Sequence, residues 1–167
     1  MTIAIAPAPP DFSRWTELHA LLTDAFAYLE GRIDPPSSLS RMGPATLANK
    51  AKAETLLLAT EGDRIVGCLF LAAKPGCIYA GKLAVDDAFR GRGIARRLFE
   101  LAQDEARRVG LSFLELQTRV ELTENHAAFA RLGFVKTGET AHEGYDRPTS
   151  VTMRKPVAPS GSRTSFT

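Results

Sequence analysis

Between Gly81 and Val109 the chain reads GKLAVDDAFRGRGIARRLFELAQDEARRV, and no other stretch restricts the fold as much. A short apolar strand ends in a turn at Asp86-Asp87. The chain then passes through Arg90-Gly91-Arg92-Gly93 and enters a helix. Ile94, Leu98, Leu101, Ala102, Ala106 and Val109 recur every three or four residues, the spacing of one helix face. Arg96, Arg97, Gln103, Asp104, Arg107 and Arg108 fill the other face, and Gly110 supplies a stop. The start of this helix is unusual. If it begins near Gly93, no Ser, Thr, Asn or Asp is placed to cap it, since Asp87 comes too early. Its first N–H groups are therefore expected to lack partners. Arg90, Arg92, Arg96 and Arg97 crowd the positive end of the helix dipole, where each costs roughly 0.3–1 kcal/mol. A bound anion would answer both problems by accepting the N–H groups and neutralising the arginines. Gly91 and Gly93 would let the backbone approach it closely at positive φ. A solvated glycine-rich turn is the plainer alternative, because a G-x-G is a weak signal alone.

The remainder of the chain predicts strands and helices around this unit. Thr2–Ala6 alternates as a first, edge strand that Pro7, Pro9 and Pro10 end. Asp11 or Ser13 is placed to cap a helix reaching about Glu30, with Trp15, Leu18, Leu21, Leu22, Ala25, Phe26 and Leu29 as its apolar stripe and Gly31 as its stop. Residues 32–44 form a proline-bearing loop, long enough in a compact domain to suggest a functional role. A short helix over Thr46–Ala53 follows. Thr55–Thr60, Ile65–Ala72 and Cys77–Val85 read as a strand meander turning at Glu61–Arg64 and Lys74–Gly76. After the long helix come a strand at Ser112–Thr118, a helix at Glu124–Leu132 and closing strands at Phe134–Thr140 and Val151–Lys155. An antiparallel meander followed by a strand–helix–strand crossover implies one α/β (α+β) domain over residues 1–155. Its central sheet is mixed, mostly antiparallel and of about seven strands, with helices on both faces. Residues 156–167 read as a disordered tail.

Composition excludes several classes of function. A net charge of +2 is too small to indicate a nucleic-acid binder, and aromatics are not interleaved with the Arg90–Arg97 run. Cys68 and Cys77 lie in apolar strands without C-x-x-C spacing and read as buried thiols. With His19, His126 and His142 scattered, no metal site is expected. No apolar run approaches membrane-spanning length and no signal-like N-terminus is present, so a cytoplasmic location is the expectation.

Arg90-Gly91-Arg92-Gly93-Ile94-Ala95 fits the Q/R-x-x-G-x-G/A pyrophosphate loop of the GNAT superfamily of acetyl-CoA-dependent N-acetyltransferases, which the chain resembles. The loop lies, as in that family, between a strand (Lys82–Val85) and a long helix. Downstream, Glu124–Phe134 (ENHAAFARLGF) is similar to the family's Asn…Tyr-x-x-x-Gly-Phe segment, and the element order agrees over residues 2–155. The resemblance implies acetyl-CoA as co-substrate, without a metal. Backbone groups of Leu83, Ala84 and Val85 would meet the pantetheine arm as an added strand meets a sheet edge. The N–H groups of Arg90, Gly91, Arg92, Gly93, Ile94 and Ala95 would cradle the pyrophosphate. Asn125 would hydrogen-bond the pantetheine or its neighbourhood, Phe129 would contact the thiol end, and one of Arg92, Arg96 and Arg97 would reach the 3′-phosphate. A homodimer is a further implication, since two-fold dimers are frequent among similar proteins. Two departures are visible. Asp87 stands where the family often has Pro. Phe129 stands where it often has the Tyr proposed to protonate the leaving thiolate, and phenylalanine has no proton to give.

The implied reaction is transfer of acetyl to a primary amine of a small molecule or protein, by direct attack in a ternary complex. An amine of pKa about 10.4 must first lose a proton. The thioester oxygen needs a donor, for which the Val85 N–H is the candidate. The thiolate, of ordinary pKa about 8.5, leaves with little help, so the missing Tyr is survivable. Glu115, His142 and Tyr145 are the candidate bases, with ordered water as an alternative. Glu30 and Asp34, flanking the variable loop, are candidates for selecting a cationic acceptor, and surface charge is the simpler account of them. A non-catalytic acyl-CoA-binding sensor or scaffold is the rival reading, and Phe129 is the residue in its favour.

Overall fold

The computed structural model describes residues 2–159. Seven strands form one sheet in the order β1-β2-β3-β4-β5-β7-β6. They are β1 (Ile3–Pro7), β2 (Thr55–Glu61), β3 (Arg64–Lys74), β4 (Cys77–Val85), β5 (Phe113–Arg119), β6 (Val135–Thr140) and β7 (Ser150–Pro156). Every neighbouring pair is antiparallel except β4 and β5, which the crossover makes parallel. Four α-helices cover the sheet: α1 (Trp15–Ala25), α2 (Pro44–Ala53), α3 (Ile94–Arg108) and α4 (Thr123–Arg131).

The alternation of β2 and β3 explains the layers. Leu57, Val66, Leu69 and Leu71 point to one face, where Ile94, Leu98, Phe99, Ala102 and Ala106 of α3 complete a core. Leu56, Leu58, Ile65, Cys68 and Phe70 point to the other, against Leu18, Leu21 and Leu22 of α1 and Leu47 of α2. Each fully buried leucine contributes roughly 1.5–3 kcal/mol, so strands with two apolar faces are confined to the middle of the sheet. Gly67 fixes how closely α3 approaches. A Cβ there would stand 3.1 Å from Ile94 Cγ2 and 3.2 Å from Ala84 O, so the start of α3 rests directly on β3.

Several boundaries differ from the sequence reading. The first helix ends at Ala25, not near Glu30, and gives way to a short 3-10 turn at Ala27–Leu29. Neither Asp11 nor Ser13 caps it: Arg14 holds the N-cap position without a side-chain bond, and Glu17 instead accepts from the Ile65 N–H at 3.0 Å. The second helix starts two residues early, because Pro44 suits the first helical position and Thr46 Oγ1 accepts from the Gly43 N–H at 3.2 Å. The tail does not begin at Pro156. That residue closes β7, Val157 is buried, its N–H bonds the Ser112 carbonyl at 2.8 Å, and Arg107 Nε donates to Ala158 O at 2.9 Å. The rest of the tail expectation, residues 160–167, lies outside the described residues. Among the described residues, no helix is long and apolar enough to cross a membrane and no group of His, Cys, Asp and Glu could hold a metal.

Candidate active site

The parallel pair β4–β5 is registered only at Cys77↔Phe113, Ile78↔Leu114 and Tyr79↔Glu115. Beyond that point β4 continues to Val85 and β5 to Arg119 without pairing, and a cleft of about 660 Å³ opens between them. It is lined from both sides of the sheet: Leu69, Phe99, Leu116 and Phe129 on the α3 face, and Phe26, Lys50, Tyr79 and Lys82 on the α1/α2 face.

The free edge of β4 can be assigned residue by residue. Asp86 N–H donates to Val66 O at 2.8 Å, and Ala84 is registered with Cys68. Backbone groups alternate sides along a strand, so Ala84 faces β3 while Leu83 and Val85 turn N–H and C=O toward the gap. Ala84, included among the cofactor contacts by sequence, is thus engaged with β3, and its side chain is buried beneath α1. Just before Leu83 the register slips: Lys82 and Leu83 together oppose Leu69, and Lys82 has φ +53, a β-bulge. Leu83 lines the cleft; Val85 lies beyond it, toward the glycine turn.

At the end of that edge α3 begins as the sequence reading expects. Gly93 is its N-cap, in the left-handed conformation and with no side-chain bond. The first helical bond runs from Arg97 N–H to Gly93 O, which leaves the N–H groups of Ile94, Ala95 and Arg96 ahead of it. Gly91 (φ +79) and Gly93 (φ +75) have nothing within 4 Å of where a Cβ would stand, so the turn is an open cradle. These are the features a pyrophosphate requires. The arginines divide. Arg90 pairs with Asp87 at 2.7 Å and Arg97 donates to Ile3 O at 3.0 Å. Arg92 lies over Phe89, 4.7 Å from the ring centroid and 4.0 Å from Glu61. Arg96 is exposed and has no ion-pair partner among the described residues.

The three candidate bases separate. Glu115 accepts from Arg154 Nε at 2.9 Å and does not line the cleft; it is the β5 residue at which pairing with β4 ends. Tyr145 donates its hydroxyl to Asp34 at 2.6 Å, which raises its pKa, and it acts as a strut for the loop. His142 alone lines the cleft. Its Nδ1 is hydrogen-bonded to Thr149 Oγ1, which also accepts from the His142 backbone N–H at 2.9 Å and lies 3.4 Å from Thr140 O. When the Thr149 hydroxyl donates to Thr140, Nδ1 carries the ring proton and Nε2 is left with its lone pair. Burial, and next the Arg119 guanidinium, push the pKa of His142 down and favour that neutral ring.

Asn125 and Phe129 both line the cleft. Asn125 Nδ2 donates to Tyr28 OH at 3.0 Å, and Phe129 stands edge-on to Phe99 and Phe134, with centroids 6.1 and 6.2 Å away. The long loop is strapped over the cleft. Arg32 pairs with Glu124, whose carboxyl it holds down at about 2, and Arg119 donates to the carbonyls of Pro35 and Pro36. Asp34 does not offer a free carboxylate to a cationic acceptor, because Tyr145 and Arg147 occupy it, and Glu30 lies outside the cleft lining.

The sequence reading missed four residues here. Tyr79 sits on the cleft floor, and burial keeps its phenol protonated. Thr118 Oγ1 is buried without a hydrogen-bond partner. Lys82 and Arg41 line the cleft as well. Only Lys82 carried a signal, as a cation inside the apolar strand that leads to the glycine turn.

The family model described as Acetyltransferase (GNAT) family matches residues 15–134. The chain is 36% identical over 103 residues to a protein named IAA acetyltransferase from Azospirillum brasilense, a match that spans 60% of this chain and 67% of that one. Among solved structures, an acetyltransferase of the GNAT family from Staphylococcus aureus Mu50 superposes with a TM-score of 0.72 at 14% identity, covering 94% of this chain and 100% of the other. A GNAT family acetyltransferase from Elizabethkingia anophelis, solved with acetyl-CoA bound, gives 0.66 at 18% identity, covering 92% and 97%. At such identities these two structures speak for the fold.

Proposed function

The chain belongs to the GNAT acetyltransferase family and is an acyltransferase, and we propose that it moves the acetyl group of acetyl-CoA to a primary amine by direct attack in a ternary complex. The observation that carries this reading is the parting of β4 from β5 in line with the uncapped start of α3. One continuous track results, a strand edge that can pair with an amide-bearing arm and, at its end, backbone N–H groups suited to a pyrophosphate. The Elizabethkingia relative of the same fold was solved with acetyl-CoA bound, which supports this assignment. Arg96 is the arginine left for the 3′-phosphate, since Arg97 is held by the Ile3 carbonyl and Arg92 lies over Phe89 beside Glu61.

In the reaction the amine nitrogen adds to the thioester carbonyl carbon. The C–N bond forms, the oxygen takes up charge, the C–S bond breaks and sulfur departs as thiolate. Of the two free amides, the Leu83 N–H is the better oxyanion donor because it lies in the cleft beside the bulge, while Val85 suits the arm; this moves the sequence-based assignment from Val85 to Leu83. His142 Nε2 is the base that receives the amine proton, directly or through one water. Phe129 packs against the thiol end, and water returns a proton to sulfur. The two cysteines take no part as nucleophiles: both are buried, and burial raises both thiols, that of Cys68 to about 12. Two buried free thiols also accord with a cytoplasmic enzyme.

The test is release of free thiol from acetyl-CoA against a panel of primary amines. Turnover dependent on amine is expected. Tight acetyl-CoA binding with no turnover on any amine would instead favour the non-catalytic module.

A further inference from the structure

The acceptor side of the cleft contains a second place that wants an anion. Lys82 projects from the β4 bulge onto the α1/α2 face and is half-buried. Its Nζ is hydrogen-bonded to Ser38 Oγ and lies 6.0 Å from the centroid of the Phe26 ring. Neither contact neutralises it. Three further cations stand around it, Lys50, Arg119 and Arg41, and the carboxylate of Glu54, itself paired with Lys50, offsets them only in part. Lys50 is satisfied, 2.9 Å from Glu54 Oε2 and 5.4 Å from the Phe70 centroid. Arg119 is satisfied too, by the Pro35 and Pro36 carbonyls, with Glu121 and Asp34 nearby. Lys82 and Arg41 have no carboxylate within ion-pair distance among the described residues, and both line the cleft.

A half-buried ammonium among cations, with a hydroxyl as its one hydrogen-bond partner, is costly in the free protein. Burial, and next the neighbouring cations, lower its pKa to about 8 against the partial offset of Glu54. An oxyanion there would accept from Nζ and from the Ser38 hydroxyl, and would lie beside the Arg41 guanidinium. The position is specific. Lys82 directly precedes Leu83, whose free amide faces the gap, so a group held at Lys82 is on the far side of the sheet from α3 and next to the reacting centre.

We infer that the acceptor is an amino acid-like molecule or peptide that bears an oxyanion, carboxylate or phosphate, close to its reacting amine, and that Lys82, Ser38 and Arg41 bind that oxyanion. This inference rests on the acetyl-to-amine reading above. It is opposite in sign to the cationic acceptor for which Glu30 and Asp34 were candidates.

The experiment compares acceptors that differ by one charge, with acetyl-CoA saturating and thiol release as readout: β-alanine against β-alaninamide, O-phosphoethanolamine against ethanolamine, and a diamine as the cationic control. The acid of at least one pair should exceed its neutral partner at least 10-fold in kcat/KM. The pair that shows the larger ratio identifies carboxylate or phosphate. Lys82→Met should bring that ratio to within about 3-fold of unity, mainly through KM, and Arg41→Met should lower it partway. Equal rates for acid and neutral partner, preference for the diamine, or an unchanged ratio in Lys82→Met would each overturn the inference. Should no amine turn over, the acetyl-to-amine reading fails first, and calorimetry on the CoA-loaded protein decides the anion site separately. N-acetyl-β-alanine should then bind at least 10-fold more tightly than its N-methylamide, and Lys82→Met should erase the difference. Equal affinities would overturn the site by itself.

Discussion

The two ends of the cleft both favour negative charge, but they are made of different material. At the α3 end the donors are backbone N–H groups, presented by an open turn whose two glycines sit at positive φ. At the Lys82 end they are side chains from a strand bulge and from the loop above it. A backbone site is sensitive to added bulk and to φ, and indifferent to most side-chain identities. A side-chain site is sensitive to the loss of one charge and tolerant of neighbouring backbone. The first suits a part common to every turnover, and the second suits whatever distinguishes one acceptor from another.

The most damaging way to sharpen that contrast is Gly93→Glu. It places a carboxylate in the cradle and forces a Cβ onto a φ of +75. Acetyl-CoA affinity should fall at least about 100-fold by calorimetry, with a stability cost of only ~1 kcal/mol because the added Cβ meets open space. Unchanged affinity would break the assignment of the cradle. Next in size is His142→Gln, which should lower kcat by about 100-fold while acetyl-CoA binding stays as it was. With its pKa pushed down, His142 stays neutral at pH values below its ordinary 6.5. The wild-type rate should therefore fall on the acid side only below about pH 6.5, and the variant should lose that limb. A limb that persists in the variant would remove His142 as the base.

The smallest effect reverses the usual sign. Lys82→Met should stabilise the free protein by ~1–2 kcal/mol at pH 7, discounted for partial exposure, even as it harms acceptor use. The folded pKa of about 8 lies below the ordinary lysine value of 10.5. Below pH 8 the ammonium is charged in both states and its penalty is fully present. As pH rises from about 8 toward 10.5 the folded protein sheds the proton first, so wild-type stability should climb through that window. The slope should be absent from the variant in chemical denaturation at several pH values. A variant less stable than wild type would show that Lys82 serves the fold and not a ligand.

The same contrast explains what the sequence could and could not reveal. The α3 end was legible because its parts are contiguous: Val85, the Asp86-Asp87 turn, Gly91, Gly93 and the periodicity of Ile94–Ala106 occupy one stretch, and local geometry follows from local sequence. The sheet order was legible for a related reason, since β2, β3 and β4 are joined by short turns. The acceptor side draws Ser38, Arg41, Lys82, Arg119 and His142 from four separate segments, and a chain read in order does not show which of these meet. Glu115 illustrates the difficulty. A carboxylate on β5 reads as a candidate base, and register sets it opposite Arg154 on β7. Tyr145 poses the same kind of difficulty, because its partner Asp34 is 111 residues away.

The parting of β4 from β5 has a consequence for traffic through the enzyme. In the proposed reading, the strand edge and the cradle grip the carrier by its handle, which the reaction leaves untouched. Spent carrier is then held nearly as well as loaded carrier, and each cycle must wait for it to leave. Such an enzyme responds to the ratio of two pools more than to the size of either. It would slow when its own by-product accumulates, and that response requires no second regulatory site.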